Sequence, residues 1–331
     1  MPRAQRPPTR GAALLLAMLI LVMVATITAG MVWRQNTALQ VEAAERARAQ
    51  SAWILAGALD WARLILREDA RSSRNSGPVD SLDEPWATPL AEARLSTFLA
   101  ADKDNNADSG PEAFLSGSIV DAQSRWNLRR LIADDGNTIE AELKAFDQLC
   151  TQASLPTGTA ARIAAALGPS WAPLVPTAAA QSLPLPPMRL TELAWIGIEP
   201  ALIERLLPWV ELLPKRSPVN VNTAPREVLM AAVTGLDSGS AERLVQLRQR
   251  APFGSLDAVR KQLPEGVKID DARLSVGSSW FLVTGRLRLE DRVLEERSLL
   301  ERQGNDVFVR RRERVNLLAV QAASVAAATP R

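Results

Sequence analysis

The stretch that most constrains this chain runs from Ala12 to Trp33, AALLLAMLILVMVATITAGMVW, and carries no charged residue. As a helix rising about 1.5 Å per residue it spans roughly 33 Å, which matches a bilayer core of about 30 Å. Its only hydroxyl residues, Thr26 and Thr28, can bond back to helix carbonyls. A plain anchor and a secretory signal peptide both begin with an apolar run. A removed signal fits poorly, because the run is longer than an h-region and no clear small-x-small site ends it. Arg3, Arg6 and Arg10 precede the span and only Arg34 follows it closely. That asymmetry keeps the N-terminus in the cytoplasm and exports the rest.

Composition removes several kinds of chemistry. The 331 residues suffice for one large domain or two ordinary ones, and the formal net charge is only +2. A chain-wide field for nucleic acid is therefore absent. There is no His, which excludes Ser-His and Cys-His catalysis and any His-ligated zinc or iron site. There is no Tyr either, and no carboxylate pair stands out as general acid and base, so an enzyme is not expected. The single Cys150 cannot form an intrachain disulfide and reads as a small buried hydrophobe.

Beyond the span, the helical pattern continues to about Asp69. Ala52, Leu55, Leu59, Ala62 and Leu66 form one apolar stripe, with Asp60, Arg63 and Arg67 on another face. Such a helix gains most of its stability by burying its stripe on a folded body. Arg71 to Pro89 reads as loop and Glu92–Ala101 as a short amphipathic helix; Phe114–Leu128 reads as one strand or a bent hairpin. The pattern from Leu131 to Asp271 predicts helices over Ile139–Cys150, Thr159–Leu167, Leu190–Trp195, Pro200–Leu213, Pro225–Val233, Ser240–Gln249 and Leu256–Gln262. Trp280–Leu289, Val293–Arg302 and Val307–Val315 then predict an antiparallel meander, with turns at Glu290-Asp291 and Gly304-Asn305-Asp306. The fold class is α+β: a long N-terminal helix packed on an antiparallel sheet, with a large all-α insertion. The segments are a leader (1–11), a transmembrane part (12–33), an amphipathic part (34–70), the first part of the body (71–130), the insertion (131–272), the meander (273–318) and a tail (319–331).

Two stretches suggest ligands. Asp102, Asp104, Asn106 and Asp108 alternate oxygen side chains at the spacing of the first half of an EF-hand loop. Ala107 stands in place of the turn glycine, and Glu112 falls one residue short of the final ligand. A Ca²⁺ site and a solvated acidic loop both fit; no other cofactor is implied. Val219–Pro225 followed by Thr234–Gly239 and Ala241–Arg250 looks like a helix-hairpin-helix module, with Arg243, Arg248 and Arg250 (and Arg260 and Lys261) as phosphate partners. Asp237 in the hairpin would repel phosphate. A packing module, with Asn222 or Thr223 capping a helix that Pro225 starts, is the preferred reading.

The leader MPRAQRPPTRG, basic and ending in Gly11 directly before the apolar helix, resembles a prepilin leader. Adding SGSIVDAQSRWNLRRL (Ser116–Leu131), SPVNVNTAPREVL (Ser217–Leu229), the large helical insertion and the terminal meander, the chain resembles the type II secretion protein K family, the minor pseudopilins K. The resemblance implies a pilin-like fold, cleavage after Gly11 by a prepilin peptidase and N-methylation of Ala12. It implies a single-pass inner-membrane protein with a periplasmic head, at the tip of a pseudopilus built with other minor pseudopilins and the major pseudopilin. It also adds weight to Ca²⁺, since relatives bind calcium. Major pseudopilins carry Glu as the fifth mature residue, where it pairs with a neighbour's N-terminal ammonium; here that position is Leu16. Lacking that contact suits a subunit with no neighbour above it. The alternative function is a DNA-handling pilin tip or membrane-tethered DNA binder acting through Val219–Arg250.

Overall fold

The computed structural model describes residues 10–72, 77, 79–95, 112–171, 185–289 and 292–318. By its contacts the chain divides into two units, Met1–Ala56 and Gly57–Arg331. Helix α1 covers Arg10–Ser72.

In the first unit, α1 exposes its large apolar side chains, from Leu14 through Leu16, Leu19 and Leu21 to Trp33. Its hydroxyls are satisfied within the helix: Thr26 donates to the Met23 carbonyl (2.9 Å), Thr28 to Val24 (2.8 Å) and Thr37 to Trp33 (2.9 Å). Between Leu14 and Trp33 no side-chain polar group therefore requires water. It is the one helix among the described residues long and apolar enough to cross a membrane.

In the second unit, five strands form an antiparallel sheet in the order β1 (Leu90–Arg94), β2 (Ala113–Asp121), β7 (Trp280–Leu289), β8 (Arg292–Gln303) and β9 (Asp306–Leu318). The last three are the expected meander. Gly304, at φ 59°, takes the left-handed conformation the tight β8–β9 turn needs. Gly117 faces Gly285 across the β2–β7 pair, and a Cβ there would meet the Thr284 carbonyl oxygen at 2.8 Å. Leu59, Ala62 and Leu66 of α1 pack on Trp86, Ile119, Phe281, Val283, Leu300 and Val307, which gives the helical stripe its expected cover. Trp86 meets Phe281 edge to face at 5.3 Å.

The helical block lies between β2 and β7 in sequence. It contains α2 (Glu140–Gln152), α3 (Thr159–Trp171), α4 (Pro200–Leu206), α5 (Arg226–Ala232), α6 (Ser238–Arg250) and α7 (Leu256–Arg260). Two short parallel pairs, β3 (Trp126–Asn127) with β4 (Val210–Glu211) and β5 (Val219–Asn220) with β6 (Leu274–Ser275), tie it together. Its apolar core runs from Trp126 to Leu274, with Trp126 stacked on Phe146 at 5.0 Å. A smaller cluster, Ala122, Leu213, Trp280 and Leu299, joins block to sheet within the same unit.

Several expectations need correction. Of the helix placed at Glu92–Ala101, Glu92–Arg94 belong instead to strand β1 (Leu90–Arg94), because pairing with β2 outweighs local helical pattern there; Leu95 is helical and 96–101 lie outside the described residues. The helix placed at Pro200–Leu213 ends at Leu206; Pro208 has no N–H to continue it, and Val210–Glu211 pairs with Trp126–Asn127 instead. Leu190–Ile196 is a 3₁₀ segment rather than an α-helix. Phe114–Leu128 is neither one strand nor a hairpin: β2 ends at Asp121 and a 3₁₀ turn, Ala122–Ser124, leads into β3. The Glu290-Asp291 turn and the 319–331 tail lie outside the described residues.

Candidate functional site

Sequence stretches far apart meet in a buried polar junction at the end of α1. Asp121, last in β2, accepts hydrogen bonds from Ser278 Oγ (2.6 Å), Thr223 Oγ1 (2.6 Å), Asn220 Nδ2 (3.0 Å) and the Gln123 amide (2.7 Å). No cation is among its partners, and burial pushes its carboxyl up to about 6. Ser278 donates its amide to Asp80 (2.7 Å). Asp80 takes Arg302 (2.6 Å), and the same guanidinium reaches Asp69 in the last turns of α1 (2.6 Å) and the Ser278 carbonyl (2.8 Å). Oxygens of Asp69, Asp80 and Glu84 lie within 4.8 Å of one another, and Arg302 is the cation between the two Asp residues.

A second cluster sits at the roots of the helical block. Arg130, near its start, grips Glu142 with Nε (3.2 Å) and Nη2 (2.8 Å), while Arg273, near its end, donates to the same carboxylate (3.1 Å). Arg130 Nη1 also holds the Ser217 (3.2 Å) and Ala272 (2.8 Å) carbonyls. All three charged side chains are nearly buried.

Of the residues singled out from sequence, Gly11, Ala12 and Leu16 lie in α1, Leu16 being 61% exposed. Asp102, Asp104, Asn106 and Asp108 lie outside the described residues. The three arginines assigned to phosphate do not act together. Arg250 and Arg243 are exposed, but Arg243 donates to the Gln262 carbonyl (3.3 Å). Arg248 is buried and donates to the Val221 (2.6 Å) and Ala224 (2.5 Å) carbonyls; burial brings it down to about 10. Asp237 caps α6 by accepting the Ser240 amide (2.9 Å), so a carboxylate already occupies the place a phosphate would take. Asn222 and Thr223 do not cap α5, whose N-cap is Pro225. Asn222 bridges the Phe253 (3.0 Å) and Val276 (3.2 Å) carbonyls, and Thr223 serves Asp121. Asp121, Arg302, Glu142 and Arg273 escaped the sequence reading, because their partners are remote in the chain.

The family model for type II secretion system (T2SS), protein K, matches residues 219–277, a range that takes in Asn220 and Thr223 and stops beside Ser278. A curated relative from Pseudomonas aeruginosa PAO1, type II secretion system protein K, is 30% identical over 318 residues, covering 91% of this chain and 90% of its own. The chain belongs to the type II secretion system protein K family. The protein K of Pectobacterium carotovorum is 28% identical over 337 residues, covering 93% of this chain and 97% of its own. The crystal structure of the GspK-GspI-GspJ complex from the enterotoxigenic Escherichia coli type 2 secretion system contains a chain with a TM-score of 0.60 at 19% identity. That match covers 82% of this chain and 98% of the other, and shows the fold to be pilin-like α+β. As a protein K this chain has the role of a minor pseudopilin in type II secretion. Nothing in the comparisons supports the DNA-binding alternative.

Proposed function

We propose that this protein K is cut after Gly11, carries an N-methylated Ala12, and joins other minor pseudopilins in a tip complex that primes the pseudopilus. It sits in the inner membrane by a single pass, N-terminus in the cytoplasm and head in the periplasm, and it catalyses no reaction. The observation that carries this reading is the charge-free, exposed apolar run of α1, with Leu16 where a pairing glutamate would otherwise stand. Such a surface is stable only in lipid or among similar helices. Further along α1, Trp61 and Leu64 remain exposed on the side away from the sheet and extend the surface open to a sister subunit. The E. coli structural neighbour was solved with GspI and GspJ, which supports partners of the same kind here.

Two measurements test the proposal. The mass of the mature N-terminus should correspond to a methylated chain beginning at Ala12; an intact Met1, or a cut near Gly30, overturns the processing. The full-length chain should co-purify with the other minor pseudopilins of its own system, and its purification alone overturns the assembly role. The assembly role needs no cofactor. Ca²⁺ at Asp102, Asp104, Asn106 and Asp108 is a separate proposal, supported by their spacing, and repeating the co-purification with Ca²⁺ and with a chelator tests it.

A further inference from the structure

Among the described residues, the junction at the end of α1 brings three carboxylates to one guanidinium. Asp69 comes from α1, Asp80 and Glu84 from the loop that follows, and Arg302 from β8. Arg302 is committed: Nη1 to Asp69 (2.6 Å), Nη2 to Asp80 (2.6 Å) and the Ser278 carbonyl (2.8 Å), with its guanidinium over the Phe281 ring at 4.9 Å. It makes no hydrogen bond to Glu84. The side-chain donor at Glu84 is the Trp86 indole N–H. Three carboxylates around one guanidinium leave two negative charges unbalanced if all ionise, in a largely desolvated place.

Among the described residues, no other cation pairs with these three carboxylates. On α1, Arg63 is turned to the Val307 carbonyl and Asp60, and Glu68 pairs with Arg71. Asp83, in the same loop as Glu84, is exposed. Glu301 of β8 is held by Lys215 and Arg310. Asp121, on the far side of Ser278, adds a further carboxylate and no cation. Phe281 of β7 closes the site without charge.

We propose that this junction is a proton-linked latch: Glu84 keeps a proton while the last turns of α1 are seated on Arg302, and loses it when they lift away. Burial first, then the neighbouring Asp69 and Asp80, push Glu84 up to about 7 from its ordinary 4.5. The seated state therefore holds more protons than the open one between these values. Seating is strongest below about pH 4.5, weakens as pH rises towards about 7, and then levels off.

The test is hydrogen exchange of the full-length protein in detergent, followed for amides of Asp60–Ser72 across that range. One retained proton makes the protection of these amides fall about tenfold per pH unit up to about pH 7 and flatten above it. In Glu84→Gln, whose amide imitates the protonated acid and keeps an oxygen for the Trp86 N–H, protection should stay near the acid-side level and vary little with pH. Leu66→Ala should lower protection at every pH without changing the slope, since it removes packing and no titrating group. A flat wild-type profile, or a full slope in Glu84→Gln, overturns the latch. If Glu84→Gln does not fold, the wild-type profile decides by itself, read against the amides of α5 and α6 between about pH 6 and 7, above the titration of Asp121, where they should show no such slope.

Discussion

Glu142→Ala tests whether the buried clasp at the roots of the helical block works as its geometry implies. The substitution deletes three charge-assisted hydrogen bonds, at 3.2, 2.8 and 3.1 Å. It leaves Arg130 and Arg273 buried beside each other, with 10% and 9% of their side chains exposed. Arg130 keeps two carbonyls, and the nearest remaining carboxylate to Arg273 is Asp270 at 3.9 Å. Breaking a buried pair by removing one partner costs about 3–5 kcal/mol, chiefly because uncompensated charge stays inside. For a unit of this size that corresponds to a fall of roughly 10 °C in Tm. The control is Arg162→Ala, which breaks a pair of similar length, 2.7 Å, whose side chains are 47% and 59% exposed. An exposed pair is worth at most about 1 kcal/mol, so this variant should melt within a few degrees of the parent. Thermal unfolding of the detergent-solubilised chain by circular dichroism measures both. Equal shifts for the two would refute the reasoning. So would a rescued Tm in Glu142→Gln, because a neutral amide cannot offset two guanidinium charges.

Three further outcomes follow from burial. Leu66→Ala removes a fully buried side chain from between α1 and the sheet; denaturant unfolding should show a loss of about 2–5 kcal/mol, and a loss below about 1 kcal/mol would mean the helix is not seated there. Arg248→Ala should lower stability and leave duplex DNA affinity unchanged in a salt titration, because its guanidinium is spent on the Val221 and Ala224 carbonyls; loss of a salt-dependent complex would revive the phosphate role. Cys150 is buried and its thiol is pushed up to about 12, so a maleimide should label it only as the chain unfolds, and rapid labelling of the folded protein would contradict its packing.

The parts of the fold that were legible are those whose signal is periodic. The charge-free run, the stripe through Leu59, Ala62 and Leu66, and the alternation along Trp280–Leu289 each follow from repeated spacing, and the structure has all three. The misread elements are short ones decided by a remote partner. Glu92–Arg94 have residues that suit a helix, yet pairing with β2 draws them into strand β1. The same limit hid the buried junction. Asn220 and Thr223 lie in a segment whose local chemistry reads as a helix cap, and their actual partner, Asp121, is about a hundred positions earlier. No spacing rule connects them. The one available hint was polar side chains alternating with valines in Val219-Asn-Val-Asn-Thr, which a cap needs only once.

The two buried clusters explain how the sheet tolerates so large a block between two of its paired strands. The chain leaves the sheet at Asp121 and re-enters it at Trp280, and Ser278, just before that re-entry, bonds directly to Asp121 at 2.6 Å. One step further in, Arg130 and Arg273 close on the same carboxylate of Glu142. The exit and the return are thus clamped twice, first beside the sheet and then inside the block. Apolar contacts among Ala122, Leu213, Trp280 and Leu299 also join the block to the sheet. Polar clamps add specificity here because only one register satisfies every donor: a shift of one residue in the Val219–Asn220 strand would turn Asn220 away from Asp121 and leave a buried carboxylate short of partners. If the register is their purpose, replacing Arg130, Glu142 and Arg273 together with Met, Leu and Met should cost little or even stabilise the chain, while any one of them removed alone is damaging. A triple variant that melts as low as Glu142→Ala would mean instead that the charges are the main source of stability at the roots of the block.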